Sequence, residues 1–430
     1  MRRADAATDA MRPGIAGAPG FAQAGRPVRK AYRTGTHRAV PPEETLARAR
    51  RLFPVLGITR IANVTGLDRV GVPVVMVCRP NGRSLAIYQG KGIDLAAAKA
   101  SGAMESIERY HAEHMIAPLK LNTYEELRYT HNLVAAETLP RIENGQFHPG
   151  RPLLWIEGRD LLRAEDVWLP YELVHLNEGL PAPLARGCFR ATSTGLAAGN
   201  DPSEALVHAL CEAVERDAAT LWQLRSEAAQ ERTRVDPSSI DDPTYRALLD
   251  RIDAAGLVAA VWDIASDIGV PAFLCQVMER AAGTGLRYEF ADGTGCHPAR
   301  DVALLRAVTE ALQARLTLIA GSRDDLERRY YADSAPDVLA RQRRIVTRGA
   351  TPRSFRAVPS WDTDTFAEDL DWLLDRLRGA GLDRAVAFDL TRPEFGLPVV
   401  RVVVPGLEDG EDLPGYLPGP RACAVLEAAQ

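Results

Sequence analysis

The stretch "GIDLAAAKASGAMESIER" (residues 92–109) can be set over "GNDPSEALVHALCEAVER" (residues 199–216) without a gap. Gly92 falls on Gly199, Asp94 on Asp201, Glu105 on Glu212, Glu108 on Glu215 and Arg109 on Arg216. Each copy reads as a glycine-bearing turn, an Asp at N-cap distance and a helix whose far turn carries Glu at i and i+3. A looser third copy, "GCHPARDVALLRAVTEALQAR" (residues 295–315), puts Gly295 before a helix ending in Glu310, Gln313 and Arg315, two residues further from its glycine. One loop-helix unit is thus used three times.

Residues three and four apart share a helix face, so Ser101, Glu105 and Glu108 align in the first copy and Glu204, His208, Glu212 and Glu215 in the second. The remaining positions are mostly Ala, Leu, Val, Ile, Met and Cys, which predicts helices packed nearly all round, and a buried acidic stripe must be neutralised. Four glutamates from two helices could hold two or more Mg²⁺ ions, because hard cations prefer carboxylate oxygens and leave coordination positions for phosphate. Arg109, Arg216 and Arg315 then suit phosphate oxygens or pin the carboxylates. The competing reading is a duplicated structural helix with a solvated ExxER face. A di-iron or di-manganese carboxylate site lacks its ExxH helices here.

Composition fits a soluble globular chain. Its 430 residues are 46% hydrophobic, with a formal charge of −5 and pI near 6.0, which gives no basic field for nucleic acid. The six cysteines form no CxxC pair, so neither zinc nor a disulfide framework is indicated. With no apolar run long enough for a membrane and no signal peptide h-region, the expectation is a cytoplasmic protein. Residues 1–29, rich in Gly, Ala, Pro and Arg, are expected to be a disordered tail, with Met11 as an alternative start. Residues 44–58 predict an amphipathic helix, and "VGVPVVMVCRP" and "RSLAIYQ" a hairpin around Asn81-Gly82. Further strands are predicted in "RPLLWIEGRDL", "DVWLPYELVHL", "GLVAAVWDIAS", "VPAFLCQVME", "LRYEFADGTGC", "RAVAFDLT" and "LPVVRVVVPGL", with helices over 202–228, 299–320 and 364–380. Strands and helices mix without regular alternation, so the fold class is α+β (mixed α/β), with β-sheets packed against helices and not a doubly wound Rossmann sheet.

"SGAMESIERY" resembles the first acidic motif of the YcaO family, SxxxExxER, and "STGLAAGNDPSEALVHALCEAVERD" its second. "AVTEALQARLTLIAGSRDD" is similar to the family's third helix and "FDLTRPEFGLPVVRVVVPGLE" to its C-terminal strands. The segment from "GTHRAV" into "GKG" looks like the subgroup that works with a TfuA-type partner. The resemblance implies a YcaO-type ATP-binding catalytic domain over residues 30–410, with ATP and Mg²⁺ as cofactors and Glu105, Glu108, Glu212 and Glu215 holding the metal. Ser101, Arg109, Asn200, Glu204, Arg216, Gln313 and Arg315 would line the nucleotide and phosphate region, with Lys91 and Arg323 as further candidates. Lys91 lies in "QGKG", which is not a P-loop, and a turn lysine needs no function. His208 could support Glu212, or could simply pack.

The activity implied is ATP-dependent modification of a peptide backbone. A nucleophile adds to the amide carbonyl, ATP phosphorylates the resulting oxyanion, and phosphate leaves. The azoline-forming members end in PxPxP, whereas the tail here, residues 411–430, carries its prolines in "PGYLPGP", well before Gln430. "STG" (residues 193–195) also stands where many relatives have an asparagine before the glycine. The expected product is therefore a thioamide made on a peptide or protein substrate with a TfuA-like partner. An azoline- or amidine-forming cyclodehydratase is the alternative, and a non-catalytic nucleotide- or precursor-peptide-binding scaffold is the alternative from another class. A homodimer is expected by family habit alone.

Overall fold

Two glycines set how the repeated helix sits on its sheet. A Cβ on Gly90 would stand 2.1 Å from Ala98 O and 2.3 Å from Gly102 N; one on Gly295 would stand 2.2 Å from Ala303 O and 2.5 Å from Ala307 N. In both cases the contacts fall eight and twelve residues downstream, so only glycine lets the helix backbone lie directly on the strand that leads into it. This contact also corrects the register of the third copy. Gly295 is the counterpart of Gly90, not Gly92, and the third unit aligns with the first without a gap, Glu310 on Glu105 and Gln313 on Glu108.

The computed structural model describes residues 21, 26–180, 187–281, 290–323, 325, 326, 336–348, 353–410 and 415–428. Its three principal helices are the first acidic helix, Leu95–Glu113, the second, Pro202–Gln223, and the third-unit helix, Arg300–Ala320. Asp94 and Asp201 cap the first two, accepting from the backbone N–H groups of Ala97 and Ser203 at 2.8 Å. The first acidic helix packs on an antiparallel sheet of Arg60–Asn63, Val74–Cys78 and Ile87–Lys91, the last two being the expected hairpin. The third-unit helix packs on Leu257–Asp263, Ala272–Glu279 and Phe290–Cys296 in the same manner. Between them the second acidic helix covers Val399–Val403 and Leu196–Ala198, one end of a six-stranded sheet. That sheet continues through Val386–Asp389, Leu153–Asp160 and Leu119–Asn122, with Glu165–Pro170 on the other edge of Leu153–Asp160.

Several expected elements are adjusted. Residues 44–58 form two helices, Pro42–Arg50 and Phe53–Leu56, the second closed by Gly57 at φ 75°. The strand in "DVWLPYELVHL" stops at Pro170 and turns into a 3₁₀ segment, Tyr171–Leu173. Helix 202–228 ends at Gln223, and Ser226 caps a new short helix, Glu227–Glu231. Helices Pro243–Ala254, Pro336–Thr347 and Pro420–Ala428 lie outside the predicted elements. The last lies inside the expected C-terminal tail, where Arg421 binds Asp217 on the second acidic helix at 2.9 Å. Within the expected N-terminal tail, Phe21 is buried in the same apolar core as the second acidic helix and Arg29 bridges Thr365; residues 1–20 and 22–25, with Met11, lie outside the described residues. All six cysteines are free thiols.

Two buried histidines make the fold acid-sensitive. Burial, with Lys30 close by, lowers His37 to about 4, and burial lowers His111 to about 4 although its Nδ1 bonds Ile107 O at 2.7 Å. Both are neutral when folded, whereas the unfolded imidazoles take up protons near pH 6.5. Stability is therefore full above pH 6.5 and falls as pH drops toward 4, by up to about 3 kcal/mol per group. Thermal melts at pH 7, 5.5 and 4.5 should show this loss. A His37→Gln/His111→Gln variant should show a shallower slope, and an unchanged slope would assign the loss to other groups.

Candidate functional site

The three helices and the loop before the first one enclose a cavity of about 580 Å³. Twelve of the thirteen candidate residues line it: Glu105, Glu108, Glu212, Glu215, Lys91, Ser101, Arg109, Asn200, Glu204, Arg216, Gln313 and Arg323. Arg315 does not. In the corrected register Ala314, not Arg315, matches Arg109 and Arg216, and one helical residue further turns the side chain by about 100°. Arg315 instead binds Asp68 at 3.2 Å and Glu279 at 2.6 Å, buried on the far side of its helix.

The glutamates are held by the ends of neighbouring strands. Glu105 accepts from Gln89 N–H at 3.0 Å, within its own unit. Glu108 accepts from Ala198 N–H of the second unit at 2.7 Å. Glu215 accepts from Cys296 N–H of the third unit at 2.9 Å and from Thr294 Oγ1 at 2.9 Å. Gln313 closes the ring by donating to Gln89 Oε1 of the first unit at 2.9 Å. Ala198 and Cys296 occupy equivalent positions, so the same hydrogen bond is made twice around the ring.

The electrostatics favour a cation. Burial raises Glu105, and it pushes Glu108 well above the carboxylate range, with the Ala198 N–H opposing and the charges of Glu105 and Glu212 adding. Burial also brings Glu212 up to about 7, although Arg216 pulls the other way. Arg216 stays 3.9 Å from Glu212 and 3.8 Å from Glu215, too far for direct hydrogen bonds. Carboxylates that face one cavity, with Arg216 beside two of them at 3.8 and 3.9 Å, are a donor type that suits Mg²⁺ and phosphate oxygens.

Residues not anticipated complete the wall. Glu310, the counterpart of Glu105 and Glu212, is ion-paired with Lys91; burial would raise it, but Lys91 and Arg216 hold it below the usual carboxylate range. Arg306 occupies the position of Ser101 and His208 and donates to His208 Nε2 at 3.2 Å. Burial and Arg306 keep that imidazole neutral. Both residues were legible from the gapless register. Arg38 and Thr45 were not, because they reach the cavity from the preceding segment: Arg38 lies 3.7 Å from Glu204, and Thr45 donates to Asn200 Oδ1 at 3.1 Å. Arg109 donates to Ser193 Oγ at 3.0 Å, which gives the "STG" segment a place in the wall.

Residues 89–408 match the family model described as YcaO cyclodehydratase, ATP- and Mg²⁺-binding. A protein from the tfuA 3′ region of Rhizobium leguminosarum bv. trifolii is 38% identical over 86% of this chain and 88% of its own length. The chain belongs to the YcaO family. ATP and Mg²⁺ are thereby its cofactors, and ATP-dependent peptide modification its class of activity. A Methanothermobacter thermautotrophicus protein is 33% identical over 86% of this chain and 94% of its own length. Among solved structures, YcaO from Methanopyrus kandleri bound with AMPPCP and Mg²⁺ superposes with TM-score 0.67 at 22% identity, covering 91% of this chain and 98% of that one. A heterocyclase in complex with substrate and cofactor superposes with TM-score 0.74 at 24% identity over 89% of this chain, which spans only 54% of that longer protein. These two likenesses concern the fold. Among the described residues no helix is long and apolar enough to cross a membrane.

Exchanging one charge at a time should separate site from scaffold. Glu212→Gln removes a half-buried carboxylate whose pKa is raised, so the ligand-free protein should be as stable or about 1 kcal/mol more stable, while its thermal stabilisation by MgATP disappears. Arg315→Leu breaks a buried ion pair and should cost roughly 3 kcal/mol with MgATP affinity retained in the folded fraction. The reverse pattern in melts and titrations would put Arg315 in the site and Glu212 outside it.

Proposed function

We propose that this protein uses MgATP to replace the oxygen of a peptide backbone amide by sulfur, forming a thioamide together with a TfuA-like partner. The reading rests on one observation: Glu105, Glu108, Glu212 and Glu215 converge from two helices, with Arg109 and Arg216, on a single cavity. Those glutamates would hold Mg²⁺, which when bound neutralises phosphate charge and orients the γ-phosphoryl group. Arg109 and Arg216 would bind phosphate oxygens. Asn200 and Glu204, fixed by Thr45, Ala39 N–H at 2.9 Å and Arg38, would bind the nucleotide away from the metal. Hydrosulfide adds to the amide carbon, the oxyanion takes the γ-phosphoryl group of ATP with loss of ADP, and inorganic phosphate departs as the C=S bond forms.

None of the six cysteines lines the cavity, and burial pushes the thiol of Cys296, the one beside Glu215, well above its ordinary range, so no covalent cysteine step is included. The choice of sulfur is supported by the relative encoded beside tfuA. The likeness to a heterocyclase favours a second reading, ring closure with loss of the amide oxygen to give an azoline or amidine. The site of action would be the cytoplasm.

Intact-mass analysis of precursor peptides from neighbouring genes, incubated with this protein, the partner, MgATP and sulfide, decides between them. A gain equal to sulfur replacing oxygen is expected. Loss of one water would establish ring closure instead, and an unmodified peptide despite bound MgATP would leave a scaffold. Glu105→Gln should abolish either mass change.

A further inference from the structure

Arg109 is fixed at the cavity wall by Ser193, which belongs to no helix or strand, so the segment around Ser193 must itself be held. Its neighbours are tied on both sides to one carboxylate. The hydroxyls of Thr192 and Thr194 both donate to Asp409, that of Thr194 at 2.9 Å. The carbonyl of Thr192 accepts from Arg401 at 2.7 Å, and that of Gly195 from Val402 N–H at 2.7 Å. Arg401, only 3% exposed, has its Nε and NH1 without hydrogen-bond partners among the described residues, and its charge is compensated first by Asp409 and then by Glu212. Asp409 also compensates Arg190, buried with both terminal nitrogens without hydrogen-bond partners among the described residues. The adjacent Glu408 accepts from Gly419 N–H at 3.0 Å, Ala422 N–H at 2.9 Å and Tyr416 OH at 2.7 Å, capping the C-terminal helix whose Arg421 grips Asp217, the residue after Arg216.

We infer that Asp409 is a positioning residue of the cavity: it clamps the Thr192–Ser193–Thr194 turn and through it aims the Arg109 guanidinium at the phosphates of the nucleotide. The inference rests on the nucleotide reading of the cavity given above. A clamp of this kind acts on phosphate recognition and not on the nucleoside, since Ser193 bonds Arg109 while Asn200 and Glu204 are held independently by Thr45 and Ala39. A contact that served packing alone would affect all nucleotides equally.

The test uses the full chain and titration calorimetry with a non-hydrolysable MgATP analogue and, separately, AMP. Thr192→Val/Thr194→Val keeps side-chain shape, Ser193 and the Asp409 counter-charge, and releases the clamp together with the 3.3 Å bond from Thr194 N–H to Thr192 Oγ1 inside the turn. Triphosphate affinity should fall on the order of tenfold, the scale of a lost hydrogen bond to a charged group, with AMP affinity nearly unchanged. Ser193→Ala should give a similar loss, and the triple variant little more, because both act through Arg109. Asp409→Asn also strips Arg190 and Arg401 of their counter-charge, so it is read only alongside its melting curve. Unchanged triphosphate affinity in the threonine variant, or equal losses for AMP and triphosphate, would overturn the inference. A wild-type chain that bound no MgATP would overturn the nucleotide reading and this inference with it, and that result is seen in the first titration.

Discussion

Everything in this protein is arranged around keeping carboxylates of like charge on one cavity wall. Burial makes ionisation costly there, as the upward shifts of Glu105, Glu108 and Glu212 record. The chain holds Glu105, Glu108 and Glu215 with backbone N–H groups, which cannot move away and carry no compensating charge. Glu108 takes its donor from Ala198 and Glu215 takes its donor from Cys296, so each acidic helix depends on the strand end of the next unit. Within the first and third units strand and helix nearly touch, because Gly90 and Gly295 stand where any side chain would force them apart. Fold and site are one constraint, since loosening an acidic helix by about an ångström would carry its carboxylate away from the next unit's donor.

Much of this was legible because it is periodic. Glu105, Glu108, Glu212 and Glu215 recur at equal spacing behind matching turns, and spacing on a helix translates directly into a shared face. The third unit reads as looser because its turn glycine is compared with Gly92, whereas the conformational requirement lies at the strand glycine, Gly90. Arg315 is a separate miss: it follows Gln313 as an arginine near the end of the unit, but it stands one residue past the position of Arg109 and Arg216, and the helix carries it to Asp68 and Glu279. Arg38, Thr45 and Asp409 were invisible for a different reason. They come from segments without period and reach the site through tertiary contacts alone. The C-terminal helix Pro420–Ala428 was hidden because its polar anchor, Arg421 on Asp217, spans 204 residues.

Read in register, the three units also show why the cavity has direction. The position of Glu105 and Glu212 is Glu310 in the third unit, but that of Glu108 and Glu215 is Gln313, and that of Arg109 and Arg216 is Ala314. The third unit has thus given up a carboxylate and its arginine, and the carboxylate it keeps is already neutralised by Lys91. At the position of Ser101 and His208 it has gained Arg306, which together with Arg38 and Lys91 acts on the His208 imidazole. A ring with equal units would present a symmetric acidic well, suited to a bare cation and to nothing else. The altered third unit divides the wall into a half built of paired carboxylates and a half supplied with Lys91, Arg38 and Arg306. An asymmetric field of this kind orients a ligand that is itself polarised, anionic along its length and metal-bearing at one end, and it does so before any chemistry begins.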